Sequence, residues 1–265
     1  MKSKLQKTLA LGIVLGAGSL HSAQPFPWPN GARYAVSLTY DDAIPSHLKN
    51  AWPALDKAGL RGTFFLCCKA FESKESLQAW LPVSKAGHEL GSHSLLHPCG
   101  KAKGLATPVG GLEAYDLDMI EKELKGARQQ LLALGTRPVG ETYAYPCGDA
   151  WVGPDKQSYR PLTAKYYHAA REAFGGVADP WTVDVMAVPA IDGAKSAEGL
   201  RYWTEQTEES GGWAVFMFHG VGGDYLSVKL EAHQALLDYL KSADGLVWVA
   251  PFAEVAAWVK KHQKK

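Results

Sequence analysis

The regular alternation of short apolar runs with amphipathic segments is the feature that most constrains this chain. In the clearest amphipathic segment, Leu117, Ile120 and Leu124 are spaced by three and four residues after acidic Asp116, which predicts a helix. Apolar strands that alternate with helices are typical of a parallel sheet covered by helices. The strand-like runs cover residues 34–40, 62–67, 88–93, 141–146, 183–191, 213–219 and 246–250.

About seven such strand–helix units favour an α/β fold with a closed (β/α) barrel over an open doubly wound sheet. The 265 residues contain no low-complexity tract and no linker that would divide a second domain. We therefore expect one catalytic domain over residues 24–265. In barrels of this kind the chemistry lies at the C-terminal ends of the strands.

Residues 1–23 have the pattern of a signal peptide. Lys2, Lys4 and Lys7 precede an apolar stretch over residues 8–20, and a cleavage site could follow Ala23. The stretch is shorter than the roughly twenty residues that a membrane span needs, so no stable membrane insertion is expected once it is removed. A retained N-terminal anchor is the alternative. We interpret the protein as exported, either periplasmic or secreted.

The charge of the mature chain argues against a polyanionic partner. The whole chain has a formal charge of +1, and the signal segment carries three lysines and no acidic residue, so its removal leaves −2. No basic stripe remains to bind nucleic acid. A neutral substrate is the natural inference.

Three polar segments follow predicted strands and could form one active site. They supply Asp41 and Asp42, then His93 and His97, and finally His219. Asp42, His93 and His97 form a three-ligand set that leaves a coordination position open. Imidazole and carboxylate ligands favour one divalent metal ion, zinc before cobalt, nickel or manganese. The alternative is an exposed histidine pair without a metal.

The other two polar residues of this set could move protons. Asp41 would remain free to act as a base, while His219, which leaves its strand before a glycine-rich loop, could protonate a leaving group. The alternatives are that the aspartates cap a helix that begins near Ser46 and that His219 is satisfied by the backbone.

Further candidates lie in the loops after the strands. The backbone amide of Cys147 could face an oxyanion, and Trp151 and Trp181 could stack on sugar rings. In an oxidising compartment Cys99 and Cys147 could form a disulfide, since each follows a proline just after a predicted strand. Cys67 is expected to be a free buried thiol, and so is its neighbour Cys68.

Four motifs together resemble the polysaccharide deacetylases, the NodB-type carbohydrate esterases. They occur in the order of that family from about residue 34 to residue 219. The motifs are Tyr40-Asp41-Asp42, His93-Ser94-Leu95-Leu96-His97, Tyr145-Pro146-Cys147-Gly148 and Met217-Phe218-His219.

The resemblance implies a distorted, often incomplete (β/α) barrel of seven or eight strands, the NodB-type barrel of the glycoside hydrolase–deacetylase kind. It also implies a role for each matching residue. Asp41 would be the base and His219 the acid, and the Cys147 amide would donate to the oxyanion. Tyr145 and Met217 would contact the substrate, with Met217 a wall of the acetyl pocket. The metal ligands implied by the resemblance are Asp42, His93 and His97.

Two departures from the family pattern concern residues that support this chemistry. Ala144 stands where the family often has an arginine that tunes the base. The Asp-Trp motif that supports the acid histidine is not found, and Asp179, Trp181 and Asp192 are weak substitutes. These differences leave the rate and the substrate open.

The resulting hypothesis is a metal-dependent hydrolase that acts on carbon–nitrogen bonds other than peptide bonds. It would remove acetyl groups from an N-acetylated amino-sugar polymer or oligosaccharide, of the chitooligosaccharide or peptidoglycan type. The alternative is an O-deacetylase of acetylated xylan or another glycan. A third reading is a non-catalytic carbohydrate-binding protein.

Overall fold

The computed structural model describes residues 24–71, 73–105, 107–134 and 139–263. The predicted signal peptide lies outside these residues. Within them, none of the helices is long and apolar enough to cross a membrane. The strands are β1 Tyr34–Asp41, β2 Thr63–Leu66, β3 Glu89–Ser92, β4 Val139–Ala144, β5 Trp151–Val152, β6 Gln157–Ser158, β7 Ala169–Arg171, β8 Ile191–Asp192, β9 Trp213–Phe218 and β10 Val247–Val249. The α-helices are α1 Trp52–Ala58, α2 Lys74–Gln78, α3 Leu81–Lys85, α4 Leu117–Leu132, α5 Arg160–Thr163, α6 Ala197–Ser210, α7 Leu230–Ser242 and α8 Phe252–His262.

One curled parallel sheet organises the described residues. Its strand order is β7-β4-β3-β2-β1-β9-β8, and β10 pairs with the beginning of β1. The curled sheet forms a half-barrel with helices around it, which confirms the predicted distorted (β/α) barrel of seven or eight strands. Because all these strands are parallel, their C-terminal ends meet at one edge of the sheet.

The two faces of β1 pack in different environments. Tyr34, Val36, Leu38 and Tyr40 belong to one apolar core cluster, together with residues of α1 and α7. Ala35 belongs to a second cluster that also contains Trp213 of β9 and Phe252 of α8. Because side chains alternate along a strand, Asp41 shares its face with Ala35. The strand therefore delivers Asp41 on the face that packs against α8.

Two of the sequence-based strand boundaries need correction. Residues 183–191 were expected to form one strand, but only Ile191–Asp192 do, and most of this segment is an irregular loop. Conversely, residues Ala169–Arg171 form a strand that the apolar pattern of the sequence did not predict. It pairs with Thr142–Ala144 of β4 and extends the sheet beyond it.

We expect replacement of a buried ring on the central strands to lower the free energy of unfolding strongly. Phe216 of β9 is fully buried, so Phe216→Ala should cost about 3–5 kcal/mol in urea denaturation, because the cavity cannot collapse completely. Phe174→Ala is the matched control, since that ring is 69% exposed and its loss should cost less than about 0.5 kcal/mol. Equal effects of the two substitutions would contradict this packing.

Candidate active site

A left-handed turn at the end of β1 brings two consecutive carboxylates to the same place. Neighbouring residues in a strand point to opposite faces, so Asp41 and Asp42 could not share a site in extended backbone. The chain leaves β1 with φ of 82° at Asp42 and 58° at Ala43. These angles are uncommon for residues other than glycine. They turn the Asp42 side chain towards the histidines that follow β3.

The loop between His93 and His97 is held by two polar side chains. The backbone N–H of His97 donates to Ser94 Oγ at 2.8 Å. Glu123 of α4 accepts from the amides of Leu95 and Leu96 at 3.0 and 2.8 Å. The motif spacing does not reveal Glu123, because it lies 27 and 28 residues away on another element. The carboxylate of Glu123 therefore positions this loop without facing the site itself.

The side chains of Asp42, His93 and His97 converge on one small volume. Their potential ligand atoms all lie within 4.8 Å of one another. Asp42 Oδ1 lies 3.5 Å from His93 Nε2 and 3.3 Å from His97 Nε2, and the two imidazole nitrogens are 3.1 Å apart. One oxygen and two nitrogens at this spacing match the donor types that zinc binds.

The protonation of these groups suits a cation. His93 Nδ1 lies 2.8 Å from the carbonyl oxygen of Ala144, which can only accept, so Nδ1 carries the proton and Nε2 presents its lone pair to the cluster. Burial, with a smaller effect of His93, lowers the pKa of His97 to about 3 and keeps it neutral. Burial acts to raise the pKa of Asp42, but His93, His97 and the hydroxyl of Tyr225 lower it to about 2. A neutral His97 imidazole and an ionised Asp42 carboxylate, with Nε2 of His93 beside them, can therefore hold a divalent metal.

Arg171 at the end of β7 forms a buried ion pair with Asp41. A guanidinium nitrogen donates to Asp41 Oδ2, and both side chains are almost completely buried. Asp41 Oδ1 is buried without a hydrogen-bond partner among the described residues. The guanidinium also lies over the ring of Phe65, 5.2 Å from its centroid. The sequence suggested that a supporting arginine was missing beside Ala144. The structure provides one from the neighbouring strand.

His219 lies next to the Asp42 carboxylate. Its Nε2 is 3.8 Å from Asp42 Oδ2, and 18% of its side chain is exposed, so it can meet a bound molecule. The carbonyl oxygen of His219 accepts from Nε2 of the buried His47 at 2.8 Å, which fixes the backbone beneath it. Asp179 and Asp192, the aspartates considered as substitutes for the missing Asp-Trp motif, form no hydrogen bond with this imidazole. Asp192 accepts from the amide of Ala194, and Asp179 caps its own turn.

A disulfide joins the loops that follow β3 and β4. Cys99 and Cys147 are bonded, with Cα atoms 5.8 Å apart, while Cys67 and Cys68 are free and buried. Cys99 Sγ lies 3.5 Å from His97 Nδ1, so the bridge contacts one of the converging histidines. Cys147 has φ of 55°, and its backbone N–H donates to none of the described residues. That amide is therefore available to an external acceptor.

The predicted substrate-contacting residues are only partly brought together. Trp151 packs beside Gly100, next to the disulfide, and is half-buried. Met217 of β9 lies two residues before His219 and is 5% exposed. Tyr145 has a buried ring whose hydroxyl donates to the carbonyl of Met186 at 3.1 Å, so only its backbone can line the site.

Trp181 lies away from these residues, which corrects the expectation that it borders the same cleft. Its ring makes an edge-to-face contact with Phe26, and its indole N–H donates to the carbonyl of Gln24 at 3.3 Å. Nearby Ala178 pairs with Trp213 at the beginning of β9, six residues before His219. Six extended residues span about 20 Å, so Trp181 lies near the opposite edge of the sheet.

Comparison with known proteins connects this site to a family. Residues 29–160 match the family model described as polysaccharide deacetylase. This range contains Asp41, Asp42, His93, His97 and the Cys147 turn. No curated protein matches the sequence.

Solved structures with low sequence identity have the same fold. A proposed polysaccharide deacetylase from Mycobacterium smegmatis aligns with a TM-score of 0.67 and 17% identity, over 90% of this chain and 94% of that one. Puue allantoinase aligns with a TM-score of 0.68 and 14% identity, over 92% and 96%. A family 4 acetyl xylan esterase from Clostridium thermocellum, in complex with a cobalt ion, aligns with a TM-score of 0.51 and 18% identity, over 84% and 90%.

We expect the Arg171–Asp41 pair to behave as a coupled unit in stability measurements. Arg171→Leu leaves a buried carboxylate without its partner and should cost about 3–5 kcal/mol in the free energy of unfolding. The double variant Asp41→Leu/Arg171→Leu should regain most of this loss, because neither charge then remains buried. Urea denaturation of both single variants and the double variant measures the coupling. Additive losses would contradict the ion pair.

A control for this cycle is available on the surface. Arg160 pairs with Glu172, but 44% of its side chain is exposed. Arg160→Leu should therefore change the free energy of unfolding by less than about 1 kcal/mol.

The disulfide should stabilise the protein by about 2–4 kcal/mol, because it closes a long loop in the unfolded chain. The variant Cys99→Ser/Cys147→Ser should unfold at a lower urea concentration than the oxidised wild type. Added dithiothreitol should lower the midpoint of the wild type and leave that of the variant unchanged. A wild-type midpoint that is insensitive to the reductant would show that the bond contributes nothing.

Proposed function

Because this chain belongs to the polysaccharide deacetylase family, we propose that it removes acetyl groups from an N-acetylated amino-sugar polymer or oligosaccharide by metal-dependent hydrolysis. The observation that carries the proposal is the convergence of Asp42, His93 and His97, with Asp41 beside His93 and His219 beside Asp42. Three potential metal ligands with a base and an acid nearby form the minimal set for hydrolysis of an acyl bond.

Asp42, His93 and His97 would hold one divalent metal ion. Zinc is our first choice, since the donor set is one carboxylate oxygen and two imidazole nitrogens. When bound, such an ion supplies Lewis-acid chemistry that acidifies water and polarises the acetyl carbonyl. The hydrogen bond from His93 Nδ1 to the carbonyl of Ala144 would keep that imidazole oriented towards the ion.

Asp41 is suited to accept the proton of the attacking water. Arg171 occupies Oδ2, and this leaves Oδ1 buried and without a partner among the described residues. A buried acceptor without a donor is costly unless a bound molecule satisfies it. The same guanidinium holds the Asp41 carboxylate in place. Asp41 Oδ1 would therefore be the atom that accepts the proton of the water.

His219 is suited to protonate the departing group. Its imidazole is partly exposed, and its Nε2 lies 3.8 Å from Asp42 Oδ2. An amine is a poor leaving group without a proton, so amide hydrolysis depends on an acid at this position. The amide of Cys147 would donate to the oxygen on which negative charge develops.

O-deacetylation of acetylated xylan or a similar glycan is the second candidate. Similarity to an acetyl xylan esterase favours it. The same site could attack an ester, and an alkoxide leaves with less assistance from an acid than an amine does. The two reactions therefore differ in their dependence on His219.

We also propose that the protein is exported. The predicted signal peptide over residues 1–23 supports this, and so does the Cys99–Cys147 disulfide. Disulfides persist in oxidising compartments and are rare in the cytosol.

Acetate release from a panel of glycans tests the proposal. The panel contains chitooligosaccharide, peptidoglycan and acetylated xylan, each offered to chelator-treated enzyme and to enzyme restored with zinc. We expect release from an N-acetylated substrate that falls at least about 100-fold on chelation and returns with zinc. His219→Ala should lower kcat by about 10²–10⁴-fold on an amide substrate, and less on an ester.

His168→Ala is the matched control, because that histidine is exposed and lies before β7. It should retain wild-type activity. Undiminished acetate release by His219→Ala would remove this residue from the mechanism. Release that is indifferent to chelation would overturn the metal-dependent reaction.

A further inference from the structure

Tyr225 contacts the Asp42 carboxylate from the loop that follows β9. Its hydroxyl donates to Asp42 Oδ2 at 2.7 Å. The other oxygen, Oδ1, faces His93 Nε2 and His97 Nε2 at 3.5 and 3.3 Å. The two oxygens of one carboxylate are thus divided between the ligand cluster and a tyrosine. This division fixes the rotation of the Asp42 side chain about its last bond.

The ring of Tyr225 remains open to solvent although its hydroxyl is engaged. The residue is 51% exposed, and its ring centroid lies 6.0 Å from that of His219 with the planes tilted by 48°. The adjacent Leu226 is 64% exposed. An exposed aromatic ring beside an apolar side chain at the rim of a polar site is typical of a ligand contact surface.

The backbone on both sides of Tyr225 is anchored, so this exposure does not reflect a loose loop. The carbonyl of Tyr225 accepts from the amide of Gly220 at 3.0 Å, and Asp224 Oδ2 accepts from the amide of Ser46 at 2.8 Å. A side chain on Gly220 would clash with the carbonyl oxygen of Gly223, so the turn requires glycine there. Asp224 itself has φ of 60°. A loop built in this way presents Tyr225 in a fixed orientation.

We propose that Tyr225 has two functions at this site, and the proposal rests on the proposed function. Its hydroxyl is a positioning group that keeps Asp42 Oδ1 directed at the metal ion. Its exposed ring is the platform on which one sugar ring of the acetylated glycan stacks. The apolar face of a pyranose ring and the face of a phenol ring match in size and polarity. A sugar stacked on Tyr225 would lie beside His219, whose ring centroid is 6.0 Å from that of Tyr225.

Two substitutions separate the two functions. Tyr225→Phe keeps the ring and removes the hydroxyl, so the dissociation constant for zinc should rise about 10–100-fold, as expected when the partner of a ligand is lost. Its affinity for oligosaccharide should be that of the wild type. Tyr225→Leu should show the same loss of zinc affinity and, in addition, a rise of about three- to ten-fold in the dissociation constant for oligosaccharide.

Both affinities are measured without turnover. Zinc binding is followed by competition with a chromophoric chelator. Binding of N-acetylated chitooligosaccharide and of acetylated xylooligosaccharide is measured by calorimetry on metal-free protein. Tyr202 supplies the matched controls Tyr202→Phe and Tyr202→Leu, because it is an equally exposed tyrosine on α6, and these variants should bind zinc and both sugars as the wild type does.

Each contrary outcome removes a defined part of the proposal. Wild-type zinc affinity in Tyr225→Phe overturns the positioning role. Equal oligosaccharide affinity in Tyr225→Phe and Tyr225→Leu, or no binding of either sugar by the wild type, overturns the platform. Wild-type protein that binds zinc and sugar but releases no acetate contradicts the proposed function and leaves the two roles of Tyr225 to be judged by these affinities.

Discussion

Two consecutive aspartates can serve one site here only because the chain turns left-handed at the end of β1. In extended backbone, Asp41 and Asp42 would point to opposite faces of the sheet. The positive φ angles at Asp42 and Ala43 bring the second carboxylate to the histidines while the first stays on the face next to Arg171. Such backbone is costly, and the surrounding contacts must hold it in place. Because of this turn, the Asp41 carboxylate lies beside Arg171 and the Asp42 carboxylate lies beside the histidines.

The contacts around each polar group explain how the turn is maintained. Arg171 holds Asp41, while Tyr225 holds Asp42. Glu123 supports the backbone of the histidine loop from a helix. These partners come from different elements, so the site is assembled by the tertiary fold. A parallel sheet makes this assembly feasible because its strands all end at one edge.

The sequence predicts the sheet and the converging residues well, for a physical reason. Long apolar runs mark buried parallel strands, and polar residues directly after such runs must lie at the same edge. This rule was sufficient to place Asp42, His93 and His97 together. The disulfide between Cys99 and Cys147 follows from the same rule, because β3 and β4 are neighbours and each cysteine lies in the loop after one of them.

The supporting residues could not be predicted in this way. Strand β7 has only three residues, two of them alanines, so no apolar pattern revealed it, and Arg171 at its end was missed. Arg171 meets Asp41 across 130 residues of sequence. Tyr225 lies in a loop whose path depends on hydrogen bonds to Gly220 and Ser46 rather than on periodicity. The prediction that Trp181 lies at the C-terminal edge of the sheet was wrong, because its loop returns to the beginning of β9.

Anomalous diffraction from crystals soaked in zinc tests the central claim most directly, because it locates the ion without assuming an activity. We predict one strong peak within bonding distance of Asp42 Oδ1, His93 Nε2 and His97 Nε2, and its loss in crystals of Asp42→Ala. Zinc bound elsewhere while these three side chains remain without an ion would contradict the account.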